Sequence, residues 1–349
     1  MTYSSPTSMK QVPLKDRAKF ELLFVLEHYL RKSTRIKEQK RKVRLRIADH
    51  MAKQGRANVI QVERLEHKIS PADFFHDYLS KGVPVILDKA AADWPCTLQW
   101  SFEAFKERFG RETIKLVQKI GLSDDDFIDE REFSEELEFG AFLDQVLSGG
   151  RKYMRFSPLL EKFPILAQDF DKKFLREMSS NSWGITYELF IGGKGTITPL
   201  HNAMTPFFFV NVCGIKHWTL IPCRYLALMD PSADGANYNH TDAQLDLSNV
   251  DRFPGFDCVD RMEAVLGPSD VLFNPAWMWH CVQNQAPTIG VRCGFINMRT
   301  MITESPALAF IRVFAARNPS LPEALYYALF KKNVAQREKR LNTASIFKT

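Results

Sequence analysis

The sequence predicts a mainly β protein, a sandwich or barrel core with helices before and after it. Three observations carry this. Residues 183–300 form short apolar and aromatic runs: "WGITYELFIGG", "TITPLH", "PFFFVNVCG", "KHWTLIP", "DVLFNPAWMWHCVQN" and "TIGVRCGFINM". Gly, Pro and Asn break these runs roughly every ten residues, the spacing of strands in a sandwich or barrel. Residues 15–55 instead place apolar side chains at helical spacing. Helix signals return after residue 304, where Ser305-Pro306 opens one helix and Ser320 with Glu323 forms a capping box for another.

In the first helical region Leu22, Leu26 and Tyr29 fall on one face, and Ile36, Val43, Ile47 and Met51 form a second stripe. Arg31, Lys32, Arg35, Lys37, Lys40, Arg41, Lys42, Arg44 and Arg46 surround it. With no aromatic interleaving and no nucleic-acid-binding motif, these charges read as a solvated helix face, so nucleic acid is not an expected partner. From about residue 61 the texture changes: a Ser-Pro helix start, a Gly turn, the strand "VPVIL" and a closing Trp94-Pro95. The acidic run Asp124 to Glu138 reads as a solvated loop leading into a helix. The division is therefore a basic helical extension over 1–60, a core over 61–300 and C-terminal helices over 301–349.

The chain has 349 residues, a length that suits one core with terminal additions. Hydrophobic residues are 45%, charged residues 25% and the formal charge +6, ordinary values for a soluble globular protein. No apolar run approaches the roughly 18 residues of a membrane span. The N-terminus lacks the apolar segment of a secretory signal. Cys96, Cys213, Cys223, Cys258, Cys281 and Cys293 are scattered, with no metal-like spacing. Reduced thiols in a cytoplasmic protein are expected.

Two histidines stand out. His201 ends a strand after Thr198-Pro199, and His280 ends "FNPAWMWH". In a small barrel, strand ends distant in sequence meet at the mouth, where ligand sites form. A non-haem Fe(II) oxygenase needs two imidazoles and a carboxylate on one face of the metal.

The run from Ile69 to about Met298 resembles the cupin-like, JmjC-type 2-oxoglutarate and Fe(II)-dependent oxygenases, in the branch of the asparaginyl hydroxylases. The match is carried by "GVPVIL…AAADWP", "TPLHNAMTPFFFVNVCGIKHWTLIP" and "PSDVLFNPAWMWHCVQN". The resemblance implies a double-stranded β-helix (jelly-roll, cupin) core with flanking α-helices. It implies Fe(II), 2-oxoglutarate and molecular oxygen as cofactors, with His201 and His280 as the iron ligands. It further implies that Lys216 pairs with the distal carboxylate of 2-oxoglutarate and that Thr198 hydrogen-bonds the same group; Asn211 joins them in the expected cofactor-binding set. A buried dicarboxylate needs such a cation and donor to offset its desolvation. In the resembled branch C-terminal helices make a dimer, so a homodimer is expected through positions such as Leu325, Leu329 and Phe330.

The departure is Ala203, which stands where the family has Asp or Glu as an iron ligand. Asn202 is adjacent, but strand alternation points it to the other face. Three readings follow. The place is used by chloride or bromide, as in non-haem iron halogenases, which makes the chain a halogenase. Alternatively it is a hydroxylase or other oxidative enzyme whose third ligand comes from water, from substrate or from another residue, with Asp251, Asp257 and Asp260 as acidic candidates and Asp270 read as structural. In the last reading it is an inactive JmjC-like binding protein. Halogenation is the expectation taken forward. The substrate-facing candidates are Tyr187, Phe207, Trp279 and Arg292, with Glu188 beside Tyr187. A small metabolite, amino acid, peptide or carrier-tethered acyl group all suit the site as a substrate.

Overall fold

The computed structural model describes residues 9–66, 68–117, 133–157, 159–233 and 239–314. Its strands are β1 (Val59–Gln61), β2 (Arg64–Leu65), β3 (Val85–Leu87), β4 (Thr113–Val117), β5 (Phe133–Glu138), β6 (Tyr153–Ser157) and β7 (Trp183–Gly192). They continue with β8 (Ile197–Asn202), β9 (Phe207–Cys213), β10 (Lys216–Ile221), β11 (Arg261–Leu266), β12 (Val271–Asn274), β13 (Trp279–Asn284) and β14 (Thr288–Ile296). One sheet runs β1-β11-β10-β13-β8 and the other β2-β3-β12-β9-β14-β7-β6, while β4 and β5 form a separate ribbon. This two-sheet, mainly antiparallel arrangement is the expected jelly-roll core.

The "PFFFVNV" run shows why the larger sheet sits at the centre. On β9, Phe207 and Phe209 join Trp218 and Leu220 of the smaller sheet in one buried cluster. The alternate residues Phe208, Val210 and Val212 enter a second cluster on the opposite face. Helices Phe102–Phe109 and Phe139–Leu147 cover that face through Phe105, Phe109, Phe139 and Phe142. Covered on both sides, the strand reads as continuous rather than alternating hydrophobicity.

The N-terminal region forms α1 (Leu14–Tyr29) and α2 (Thr34–Lys53), with the Ser33 hydroxyl capping α2 by accepting from Ile36 N–H. The stripe Val43, Ile47 and Met51 is buried as expected, but α1 turns Phe20, Phe24 and His28 inward instead. Leu22, Leu26 and Tyr29 are exposed. Phe20 and Phe24 belong to the same cluster as Trp218, so these helices pack on the core. Several of the basic residues are ion-paired: Lys40 with Glu27, Arg44 with Asp230 and Arg46 with Asp16. The acidic stretch is corrected in part, since Phe133–Glu138 is a strand paired with β4 before the helix begins. After residue 304, Pro306–Phe314 is helical as expected. The capping box at Ser320 and the dimer positions Leu325, Leu329 and Phe330 lie outside the described residues. No helix among the described residues is long and apolar enough to cross a membrane.

Candidate active site

Strand β8 borders its sheet and pairs with β13, His201 directly opposite His280 and Thr198 opposite Val282. Between these pairs two residues of β8, Pro199 and Leu200, face the single Cys281 of β13. This is a bulge, and a proline suits it because no ladder N–H is lost. The bulge shifts the strand's alternation by one, so Thr198 and His201, three residues apart, project to the same side.

The two imidazoles lie with ring centroids 4.1 Å apart. His201 Nδ1 is 2.8 Å from Pro199 O and His280 Nδ1 is 2.9 Å from Met278 O. A carbonyl only accepts, so each Nδ1 carries the proton and each Nε2 is the basic nitrogen, the tautomer a metal ligand needs. Burial and the neighbouring His201 hold the His280 pKa well below its usual value, so the ring is neutral. Trp218 and Phe207 flank it, each with ring centroids 5.6 Å from His280. Trp277 holds a left-handed backbone (φ 59°) just before this strand. Its N–H donates to Ala203 O at 2.7 Å, and its indole N–H donates to Met301 O at 2.8 Å.

Deeper in the barrel, Lys216 opens β10 opposite Asn284 and is fully buried. Gly214 makes the preceding turn at φ 73°, where a Cβ would stand 2.0 Å from Pro287 O. Lys216 Nζ donates to Asn284 Oδ1 at 2.6 Å, and Asn284 is oriented by its Nδ2 donating to Thr196 Oγ1 at 2.7 Å. The rings of Tyr153 and Phe209 each lie 5.5 Å from the ammonium. Thr198 Oγ1 is 3.4 Å from the Tyr153 hydroxyl. Among the described residues no carboxylate pairs with Lys216, and burial lowers its pKa to about 7.

Four of the expected site residues are placed differently. Asn211 is a turn lock, its Nδ2 donating to Gly214 O, Leu266 O and Gly267 O. Tyr187 faces the outer cluster, its ring 5.2 Å from Phe170. Trp279 alternates away from His280 and pairs across the strands with Asn202. Arg292 does approach the site, 4.7 Å over the Phe207 ring, but its guanidinium is held by Glu188 at 2.9 Å and Thr205 at 2.6 Å. It is a structural ion pair rather than an open anion receptor. Phe207 stays where expected, beside His280.

Of the acidic candidates, Asp260 is buried and accepts from Lys10 N and Asn58 N. Asp251 is exposed in a short 3-10 turn, and the Asp257 carboxylate meets Cys258 Sγ. Asp270 accepts from Lys89 N and Gly267 N, the structural turn role anticipated for it. Ala203 supplies no donor. The side-chain atoms of Asn202, on the other face, have no hydrogen-bond partner among the described residues. Residues that sequence reasoning missed are Tyr153, Asn284, Thr196 and His240. His240 forms an isolated antiparallel bridge with His201, the ring centroids 6.1 Å apart.

The sequence profile of the cupin-like domain matches residues 71–297, most of the chain. The chain belongs to the cupin-like domain family. Curated relatives of this cupin-like chain include Lysine-specific demethylase 8 of Xenopus tropicalis, 26% identical over 62% of this chain and 49% of the relative. Arginine-specific demethylase JMJ20 of Arabidopsis thaliana is 22% identical over 68% of this chain and 57% of its own length. Lysine-specific demethylase JMJ30 of the same plant is 26% identical over 66% and 53%. This chain thus spans about half the length of the curated relatives it matches. Together they place the cupin-like chain in the JmjC-type oxygenase superfamily, whose cofactors are Fe(II), 2-oxoglutarate and oxygen.

The residues fit 2-oxoglutarate: a buried ammonium without an anionic partner, flanked by Thr198 and Tyr153 hydroxyls, matches a carboxylate that must leave water. For the metal, His201 and His280 are two facing imidazoles of the right tautomer. No set of three His, Cys, Asp or Glu side chains among the described residues is placed to hold an ion.

Proposed function

We propose that this chain is a 2-oxoglutarate-dependent oxygenase that oxidises a carbon–hydrogen bond of its substrate, with hydroxylation, including hydroxylation of an N-methyl group, as the closer reading. The observation that carries it is Lys216: a fully buried amine whose one hydrogen-bond partner among the described residues is a neutral amide. Such an amine destabilises a protein unless an anion joins it. The distal carboxylate of 2-oxoglutarate would take Lys216 with Thr198 and Tyr153. His201 and His280 would hold Fe(II), which together with 2-oxoglutarate and oxygen supplies the oxidising chemistry. Trp218 and Phe207 exclude water from the imidazoles and hold His280 in orientation.

The names of the relatives favour a cationic, nitrogen-bearing substrate. Glu188 offers an acceptor for it: its Oε1 takes the Arg292 guanidinium, while Oε2 is shielded from solvent and has no hydrogen-bond partner among the described residues. A basic side chain entering beside Phe207 would satisfy that oxygen. Halogen transfer draws support only from the missing donor at Ala203, and the names of the relatives favour hydroxylation over it.

The test is calorimetric titration of 2-oxoglutarate into protein loaded with Fe(II) under anaerobic conditions, followed by oxygen uptake with methylated lysine or arginine peptides. Saturable 1:1 binding that Lys216→Met abolishes is expected. Wild-type protein that binds no 2-oxoglutarate would sink the proposal.

A further inference from the structure

A cavity of about 270 Å³ lies between the N-terminal segment, the turn before β3 and the turn after β10. Its volume falls just below the roughly 300–1,000 Å³ of pockets for drug-sized ligands, which suits a smaller molecule. Thr198, His201, Lys216 and His280 do not line it, so it is separate from the cosubstrate pocket. Met9, Val12, Val83, Pro84, Met262 and Met278 give it apolar walls. Two opposite charges face it from different elements. Arg224 follows β10, and among the described residues its guanidinium donates only to neutral partners, Gln11 Oε1 at 3.3 Å and Met9 Sδ at 3.8 Å. Glu304 ends the helix Met298–Glu304, and its carboxylate makes no hydrogen bond or ion pair among the described residues. Gly82 closes on it, since a Cβ there would stand 2.3 Å from Glu304 Oε1, so the carboxylate is held in the cavity wall. Arg17 is committed elsewhere: its Nε donates to Glu21 Oε1 at 2.9 Å and its Nη2 to the Glu304 backbone carbonyl at 2.8 Å. Burial pushes the Glu304 carboxyl up to about 6 while Arg17 and Arg224 draw it back, so it is mostly ionised at neutral pH.

From this arrangement we propose that the cavity is a binding site for a free α-amino acid with an apolar side chain. Arg224 and Glu304 share one small cavity without pairing with each other. A molecule that carries an ammonium and a carboxylate on the same carbon answers both. Its carboxylate takes the Arg224 guanidinium, whose planar fork of N–H groups matches a carboxylate. Its ammonium takes the Glu304 carboxylate, and its side chain enters the methionine, valine and proline walls. A lone anion would meet Arg224 but stand against the charge of Glu304, and a lone cation would meet the reverse. Lys81 stands at the rim with its ammonium held by Asp77 at 3.1 Å, so it adds little to either contact. The site requires neither metal nor 2-oxoglutarate, and it does not rest on the oxygenase reading above.

The test is calorimetric titration of the full-length protein, without added metal or 2-oxoglutarate, with L-leucine, L-methionine and L-valine. Saturable 1:1 binding of at least one is expected, and Lys216→Met should bind it equally well. For the tightest binder, the analogue lacking the ammonium and the analogue lacking the carboxylate (isocaproate and isoamylamine in the case of leucine) are titrated next. Each should bind at least about tenfold more weakly, the loss expected when one charge-assisted hydrogen bond is removed. Arg224→Gln and Glu304→Gln, shown by circular dichroism to be folded, should weaken the amino acid by a similar factor. Glu304→Gln should not weaken the analogue that lacks the ammonium. No saturable binding of any of the three amino acids overturns the proposal. So does binding that Lys216→Met abolishes, since the ligand then sits in the cosubstrate pocket. Equally tight binding of the analogue without ammonium, or of inorganic phosphate, also overturns it, because an anion alone then suffices.

Discussion

Lys216 Nζ donates to Asn284 Oδ1 at 2.6 Å, and among the described residues it has no anionic partner. The pairing holds an ammonium in place, while the cost of taking its charge from water is offset only in small part by one neutral amide.

That balance gives a pH signature. Burial lowers the Lys216 pKa to about 7 in the protein without ligand, and an incoming carboxylate raises it again. Below pH 7 the ammonium is charged with or without ligand, so affinity for 2-oxoglutarate is insensitive to this group. Above pH 7 binding requires proton uptake, and affinity should fall as pH rises, by up to about tenfold per unit. Calorimetry in buffers of different ionisation enthalpy at pH 8 should register that uptake. Affinity that is flat from pH 6.5 to 8.5 would contradict it.

The same residue should trade stability for binding. In unliganded protein Lys216 binds fewer protons than in the unfolded chain between pH 7 and its ordinary range, so its destabilising effect is full below pH 7 and fades as pH rises. Lys216→Met should therefore raise the unfolding free energy at pH 6.5 by about 1–4 kcal/mol, while removing 2-oxoglutarate binding. Denaturant melts at pH 6.5 and 9 check both sign and trend, with the smaller gain expected at pH 9.

Tyr153 reaches the pocket from β6, with its hydroxyl 3.4 Å from Thr198 Oγ1 and its ring beside the ammonium. Tyr153→Phe keeps the ring and removes one donor. It should weaken 2-oxoglutarate by about 0.5–1.5 kcal/mol, the worth of one hydrogen bond, and leave Fe(II) affinity unchanged. Parallel titrations with each ligand separate the two effects.

Gly214 sets the turn that delivers Lys216. A methyl there would stand 2.0 Å from a backbone carbonyl, at a φ of 73° that disfavours side chains. Gly214→Ala should cost about 2 kcal/mol or more of stability and misplace the ammonium. Thermal melts and 2-oxoglutarate titration should both register the change.

Much of this architecture was legible because its signals are local. Thr198, His201, Lys216 and His280 lie in short motifs whose spacing tracks strand and turn, and the strand runs of the core are bounded by Gly, Pro and Asn. The misplacements share one cause, which is that a strand's two faces look alike when both are covered. Tyr187 and Glu188 were both offered, yet a single alternation sends one to Phe170 and the other to Arg292. The first helix carries apolar residues on more than one side, so the Leu22 stripe hid the Phe20 and Phe24 face. Tyr153, Asn284 and His240 were invisible for a different reason: each gains meaning only from a partner brought near by the fold.

The bulge at Pro199 and Leu200 acts on the strand as a frameshift acts on a reading frame. Residues before it keep one parity and residues after it the other, so the cosubstrate end and the metal end of β8 are each in phase with the same cavity. Regular pairing of the same residues, without the bulge, would leave Thr198 facing inward, bring Leu200 opposite His280 and turn His201 outward. The pocket would keep its anion-binding half and lose its metal-binding half in a single step. The bulge that takes up the extra residue, more than the identity of any one side chain, couples the two halves into one site.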